Sequence, residues 1–160
     1  MREMMPPELR EDWSKAIGEF ILGMGEIEDL MNEVLRWAFQ GNFFNLLRKN
    51  NLSSKCDLAK EVYKNWCPSE AGKVNALFEE LSILRGKRNV VAHNGISVEI
   101  YASEDSDKHI FEFSLSDIYK PDKTGISLST LKADAASLNS IFETLLELIP
   151  ENKESLKLLT

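Results

Sequence analysis

The chain has 160 residues and carries 19 Lys and Arg against 26 Asp and Glu, a formal net charge of −7. A chain of this length is expected to form one domain, and it can bury a hydrophobic core without disulfides or metals. With 43% hydrophobic and 28% charged residues, the composition excludes a disordered or collagen-like chain. The acidic balance also disfavours a protein that coats nucleic acid over its whole surface, although a local basic site is compatible with it.

The cysteines and the N-terminal residues predict a cytoplasmic protein without a cofactor. Cys56 and Cys67 are too few for a disulfide framework, so we expect two reduced and inert core thiols. The sequence contains no Cys/His cluster of the zinc type, and we predict neither a metal nor a cofactor. Residues 1–7 lack the apolar run of a signal peptide. No window approaches the ~20 apolar residues of a membrane span, so we predict no membrane association.

The first long segment, residues 8–40, repeats apolar residues every three or four positions and predicts an amphipathic helix. Gly41 is expected to provide a left-handed cap at its end. Gly18, Gly23 and Gly25 lie inside this segment, and each glycine costs ~1 kcal/mol against alanine in a helix interior. Gly18 and Gly25 share a face. That face indicates close approach of another helix, such as one from a second subunit, and the alternative is a kink or a break into two helices.

Two further helices are predicted in the middle of the chain. Residues 54–57 resemble a capping box and are expected to open the first of them. The second covers residues 69–92, with Gly95 as its stop. Its inner stripe is formed by Val74, Leu77, Leu81, Leu84, Arg88 and Val91. Arg88 therefore occupies a position that calls for an apolar residue, and arginines seldom face a core without a partner.

Residues 96–115 alternate apolar and polar side chains in two runs separated by the polar loop 103–107, which predicts a β-hairpin. Residues 119–125 are predicted to form a loop, and residues 128–149 the last helix. The predicted fold class is mainly α: an antiparallel helical bundle of four to five helices with a β-hairpin inserted before the last helix. We expect one domain over residues 1–160, with a core at about residues 8–149 and a tail at residues 151–160.

The most informative stretch is residues 85–94, which contain three bases, one histidine and two amides without a single acid. The helix dipole favours cations near a helix C-terminus and explains Lys87. It does not explain Arg88 at an inward position. Arg85, Lys87 and Asn94 are candidate RNA-binding residues, and the alternative for Arg85 is a plain surface cation.

Arg88 and His93 together have the chemistry of a phosphodiester site. Arginine supplies a planar fork for phosphate oxygens, and histidine transfers protons near neutral pH. Five residues on one helix leave the two side chains about 140° apart, so they do not converge on one atom. Convergence requires either that the helix ends before His93 or that a second copy brings in its own pair across a twofold axis.

The segment from Arg88 through Asn89 to His93 resembles the arginine, polar residue, three variable residues and histidine signature of the HEPN superfamily (higher eukaryote and prokaryote nucleotide-binding domains). The first helix contains Gly25, Glu28 and Asn32 in a pattern similar to the Gly-x-x-Glu-x-x-x-Asn helix of prokaryotic HEPN-like proteins. Lys55 falls where those proteins tend to carry a lysine at the start of the second helix. The resemblance covers roughly residues 13–149.

The resemblance implies a helical homodimer that acts as a metal-independent endoribonuclease, in toxin–antitoxin or antiviral phage-defence systems. By resemblance, Arg88 would hold the scissile phosphate, His93 would act as general base or acid, and Asn89 would orient the site. Glu28 and Asn32 would support that pair, and the equal alternative for Glu28 is a solvated acidic face.

The partners implied by the resemblance are an RNA substrate, a second copy, and an antitoxin or nucleotidyltransferase. Some toxin members carry a nucleotidyltransferase-modified tyrosine two residues after the histidine. Gly95 stands there in this chain, which argues against regulation by that route. The alternatives are a non-catalytic HEPN-like module that binds a protein or nucleotide, and a plain structural oligomer.

Overall fold

A computed structural model describes residues 5–39, 41–102, 109–116 and 125–152 of the chain. In chain order, these ranges contain α1 (Pro7–Ala38), α2 (Asn42–Leu47), α3 (Leu52–Trp66), α4 (Ala71–His93), β1 (Ile96–Ala102), β2 (His109–Leu115), β3 (Ile126–Ser127) and α5 (Leu128–Glu147). A short 3-10 turn, Pro68–Glu70, precedes α4. The structure confirms a mainly α bundle with a β-hairpin before the last helix.

The first helix is continuous despite its glycines. α1 spans 32 residues, so the predicted alternative of a break into two helices is wrong. A Cβ atom added at Gly18 or Gly25 would meet nothing within 4 Å, whereas one at Gly23 would lie 3.2 Å from Leu138 Cβ. Gly23 is therefore the position where another helix of the same chain, α5, approaches α1 closely. Gly41 has a positive φ of 70°, but α1 is capped by Phe39 in an extended conformation, so the prediction that Gly41 caps this helix is wrong.

Within the bundle, α1 and α5 run in the same direction. Near the start of both helices, Lys132 Nζ donates to Asp12 Oδ2 at 3.2 Å. Gly23 meets Leu138 further along, and Trp37 and Leu146 line one cleft near the two C-terminal ends. The antiparallel arrangement thus does not extend to this pair, because the hairpin between α4 and α5 gives the chain an additional reversal.

The core lies among α1, α3, α4 and α5, since the apolar stripe of each of these helices faces the others. Its largest fully buried side chains include Trp13, Phe20, Met31, Tyr63 and Leu138. Trp13 is a core residue, while Trp37 and Trp66 are half-buried against the core. Burial of such side chains stabilises a fold by ~1.5–3 kcal/mol each, so this cluster positions the helices.

The hairpin has the predicted strands, with Ile96 opposite Leu115 at its base. The two-residue strand β3 was not predicted, because two residues are too few to show an alternating pattern. It pairs antiparallel with β2 through Ser114↔Ser127 and Leu115↔Ile126. The predicted loops at residues 103–107 and 119–124, and most of the predicted tail, lie outside the described residues.

The caps of α3 and α4 differ from the predicted ones. Asn51 caps α3 by accepting a hydrogen bond from the Ser54 backbone N–H, so Ser54 lies inside the helix that it was expected to open. Both residue types are good N-caps, and the sequence alone does not separate them. At the end of α4 the cap is Asn94, in an extended conformation with φ −104° and ψ 145°, so Gly95 provides no left-handed stop.

Candidate functional site on α4

The two residues of the predicted active pair lie on one uninterrupted helix. α4 continues through His93, and Asn94 is its cap. Arg88 and His93 are therefore separated by about 140° around the helix and about 7.5 Å along it. The alternative in which the helix ends before His93 is excluded. Within one chain the pair does not converge, and convergence requires a second copy.

Arg88 is exposed, so the expectation that it points into the core is wrong. Its direction lies within about 40° of Leu84 and 60° of Val91, both of which are buried. Ala92, on the same side, is also exposed. Around Arg88, therefore, the described residues do not cover the side of α4 that the apolar stripe predicts to be buried. The prediction from periodicity assumes that this side is buried along the whole helix.

Lys87, predicted to bind RNA, is engaged in an ion pair that connects α4 to α5. Its ammonium lies 2.8 Å and 2.7 Å from the two carboxylate oxygens of Asp134. The Asp134 side chain is only 13% exposed and that of Lys87 29%. Because the lysine charge is offset by a shielded carboxylate, Lys87 has less to offer a phosphate than a free cation would.

Arg85 is half-buried and faces α3. Burial raises the pKa of the Cys56 thiol on α3 above its ordinary value of 9.0, and attraction to the nearby Arg85 guanidinium partly opposes that rise. The expectation of an inert Cys56 thiol agrees with the raised pKa. Arg85 also lies 3.5 Å from Ser82 Oγ on its own helix.

Glu28, predicted to support the active pair, contacts a different residue. Its Oε1 accepts a hydrogen bond from Lys55 Nζ at 3.2 Å. Lys55 is 5% exposed, whereas the Glu28 side chain is 40% exposed. Asn32, one turn further along α1, has a buried Oδ1 without a hydrogen-bond partner in the described part of the chain. Among the described residues of the single chain, neither Glu28 nor Lys55 hydrogen bonds to Arg88 or His93.

The structure separates several of the predicted site residues into two groups. Glu28, Lys55, Cys56 and Arg85 form what we call the inter-helix polar cluster, which joins α1, α3 and α4. Arg88, Asn89 and His93 are all exposed and form what we call the α4 basic face. Cys56 was not predicted as a member of either group, since a thiol on an amphipathic helix carries no signal that distinguishes it from ordinary core.

Among the residues that the structure describes, no three His, Cys, Asp or Glu side chains are placed to hold a metal ion. Over the same ranges, no helix combines the length and apolar character needed to cross a membrane. Comparisons of the chain with protein-family models, with curated proteins and with solved structures found no match.

Proposed function

We propose that this chain is a metal-independent endoribonuclease with a composite site at a dimer cleft, to which two copies contribute Arg88 and His93. The supporting observation is that the α4 basic face is exposed on a stretch of helix that the described residues of the chain leave uncovered. A second copy packed across this stretch would cover it and bring two arginines and two histidines together. The resemblance to HEPN domains favours the same arrangement.

The chemistry follows from the two side-chain types. The 2′-hydroxyl of RNA attacks the adjacent phosphorus, the bond to the 5′-oxygen breaks, and a 2′,3′-cyclic phosphate and a 5′-hydroxyl are formed. In this proposal His93 accepts the 2′-hydroxyl proton as general base, and a water molecule donates a proton to the leaving 5′-oxygen. The Arg88 guanidinium neutralises the charge that develops on the non-bridging oxygens.

The contacts around α4 support a positioning role for its neighbours. Arg85 lies one turn before Arg88 and is tied to Cys56 on α3. Lys87 is tied to Asp134 on α5. These contacts hold α4 on two sides, and they oppose its rotation about its own axis. The direction of Arg88 would thereby be set by buried and half-buried groups that do not touch the substrate.

The proposal is tested by incubating the purified full-length chain with total RNA in EDTA, beside Arg88→Ala and His93→Ala. Lys73→Ala is the matched control, because Lys73 is an exposed cation on the same helix, outside the α4 basic face. We expect cleavage with 2′,3′-cyclic phosphate ends by the wild type and by the control. Each active-site variant is expected to lose about 100-fold or more. Unchanged cleavage by His93→Ala would disprove the assignment.

Mixing the two inactive variants tests whether the site is composite. If each cleft draws arginine from one copy and histidine from the other, a mixed dimer holds one intact pair. Half of the dimers in an equimolar mixture are mixed, so about a quarter of the wild-type rate should return. A mixture that stays inactive would contradict this division of residues between the copies.

A second candidate is a non-catalytic HEPN-like dimerisation or binding module for a protein or nucleotide. It is favoured by the pairing of Lys87 with Asp134 and the proximity of Arg85 to Cys56. Of the cations in residues 85–94, Arg88 is then the one without a partner among the described residues. The net charge of −7 also works against rapid association with RNA. A dimer that binds RNA, a nucleotide or a protein without cutting RNA would establish this alternative.

A role in a toxin–antitoxin or antiviral defence system, with a cognate antitoxin or nucleotidyltransferase, rests on the resemblance alone. Its test is expression of the chain in growing bacteria. Growth arrest by the wild type, together with normal growth on expression of His93→Ala, would support a toxin. Equal growth of both strains would argue against one.

A further inference from the structure

A groove that the proposed ribonuclease does not use runs between α1 and α5. It consists of two neighbouring clefts of about 370 and 310 Å³, and Glu26 lines both. On α1 the lining extends from Glu19 to Trp37, which corresponds to about 27 Å of helix. Clefts of this volume are in the range that accommodates ligands and inserted side chains. No lining residue belongs to α4.

The groove exposes large apolar side chains. Leu22, on the α1 side, is 69% exposed, and Leu146, on the α5 side, is 39% exposed. Trp37 and Phe142, which are half-buried, line the second cleft beside Leu146. Single exposed apolar residues are ordinary, but an apolar groove with a polar rim is typical of a surface that binds another chain.

The rim of the groove is acidic. Glu26 and Asp29 face it without a basic partner among the described residues. Glu19 is 3.9 Å from Lys15 and Glu33 is paired with Arg36, so those two charges are already partly offset.

The acidic character continues on the α5 side. Glu143, three residues before Leu146 and adjacent to it on the helix surface, is exposed and acidic. The base that lines the groove, Lys132, lies at one end and is paired with Asp12.

The acidic rim indicates which kind of partner the groove binds. A second copy packed face to face would bring two acidic rims together, and RNA or an anionic membrane would be repelled by them. We propose that the groove binds a basic amphipathic helix of a partner protein, about 18 residues long. Its apolar residues at i, i+3, i+4 and i+7 would contact Leu22, Trp37 and Leu146, and flanking Lys and Arg would face Glu26 and Asp29.

The probe for this proposal is an 18-residue synthetic peptide of Leu and Lys with leucines at helical spacing. Two control peptides are a scrambled one of the same composition and one with Glu in place of every Lys. We expect saturable binding of the first to the full-length chain, measured by calorimetry and by the fluorescence of the protein's tryptophans. The affinity should fall as salt is raised. Equal binding of the scrambled peptide would overturn the proposal.

A charge-matched pair of variants locates the site. Glu26→Lys with Asp29→Lys changes the net charge from −7 to −3, and Glu79→Lys with Glu80→Lys on α4 makes the same change. Glu79 and Glu80 are exposed and lie outside the groove. We expect the first pair to weaken peptide binding about tenfold or more and the second pair to change it less than about twofold. Equal losses would show non-specific charge attraction and overturn the proposal.

The apolar contribution is tested separately. Leu22→Ser with Leu146→Ser should weaken binding about tenfold, whereas Ile83→Ser, at an apolar residue on α4 that is 65% exposed, should leave it unchanged. Two further results would each overturn the proposal. One is that the peptide binds only after residues 153–160 are removed, which would make the chain's own C-terminal segment the occupant of the groove. The other is self-association lost in the Leu22/Leu146 variant, which would make a second copy the occupant.

Discussion

Lys55 is the one charged side chain that is buried among the described residues, at 5% exposure. Its ammonium donates a hydrogen bond to Glu28 Oε1 at 3.2 Å. A buried ammonium costs free energy unless it is paired and hydrogen bonded. Glu28 therefore supports the packing of α3 on α1.

We predict that Glu28→Gln lowers the free energy of unfolding by ~1–3 kcal/mol, because the Lys55 ammonium loses its carboxylate. Lys55→Met should cost less, since it replaces the cation by an apolar side chain of similar length. The matched control is Glu19→Gln, whose exposed pair with Lys15 is worth ~0–1 kcal/mol. Urea unfolding measures all three, and equal losses for Glu28→Gln and Glu19→Gln would contradict the prediction.

Two buried groups make the protein sensitive to alkali. Burial raises the pKa of the Tyr63 hydroxyl above its ordinary value of 10.0 and raises the pKa of the Cys56 thiol above 9.0. The folded chain therefore holds these protons more tightly than the unfolded chain does. Their contribution to stability is complete below the unfolded pKa values and is lost as the pH rises above them.

Tyr63→Phe is predicted to leave the free energy of unfolding at pH 7 unchanged or to raise it by up to ~2 kcal/mol. The reason is that the Tyr63 hydroxyl is buried without a hydrogen-bond partner in the described part of the chain. The variant should also lose less stability than the wild type between about pH 9 and 11, where an unfolded tyrosine ionises. Urea unfolding across that range measures the difference, and parallel pH curves would contradict the assignment to Tyr63.

At the scale of elements, Gly23 is the one of the three glycines in α1 at which α5 packs closely. A methyl group at Gly23 would lie 3.2 Å from Leu138 Cβ, closer than ordinary contact, while Gly18 and Gly25 have open space around them. Glycine in a helix interior costs up to ~1 kcal/mol relative to alanine. Alanine substitutions at the three positions therefore distinguish the effect of helix propensity from the effect of close packing against α5.

We predict that Gly18→Ala and Gly25→Ala each raise the free energy of unfolding by ~0.5–1 kcal/mol. The increase in the free energy of unfolding should be at least ~0.5 kcal/mol smaller for Gly23→Ala than for the other two variants, because α5 has to shift to admit the methyl group. Thermal and urea unfolding of the three single variants compare them directly. A gain at Gly23 as large as that at Gly18 would show that the approach of α5 is not tight. Dimerisation weakened by Gly18→Ala would indicate that this face contacts a second copy.

The elements differ in how far local patterns predicted them. The apolar spacing in α1 and the alternation in β1 and β2 predicted those elements, because each pattern extends over several repeats of its period. Local patterns failed where the signal was one or two residues long. Asn51 and Ser54 are both competent caps, and β3 has too few residues to show alternation.

At the scale of the whole molecule, the described residues form two surfaces of opposite charge. The α4 basic face exposes Arg88 and His93, and the groove between α1 and α5 presents Glu26 and Asp29. A second copy would meet less electrostatic repulsion at α4 than at the groove. The acidic net charge and the local basic site are therefore compatible within one chain.

A composite site predicts that specific activity falls on dilution. If cleavage needs two copies, the rate per chain should be constant above the dimer dissociation constant and should decrease in proportion to concentration well below it. Cleavage assays over about a thousandfold range of protein concentration, with sedimentation measured in parallel, test this. A constant rate per chain through the dimer–monomer transition would show that a single copy is sufficient.

The sequence by itself determined the helices, the hairpin, most of the core and the stretch rich in bases, because periodicity and composition act between near neighbours in the chain. Only the tertiary structure decided that Arg88 is exposed, that Lys87 is paired with Asp134, and that Glu28 contacts Lys55. Each of these facts depends on which helix covers which, and residues as far apart as 87 and 134 determine that together. A stripe on one helix specifies a face for burial, but the neighbouring helices decide how much of that face is covered.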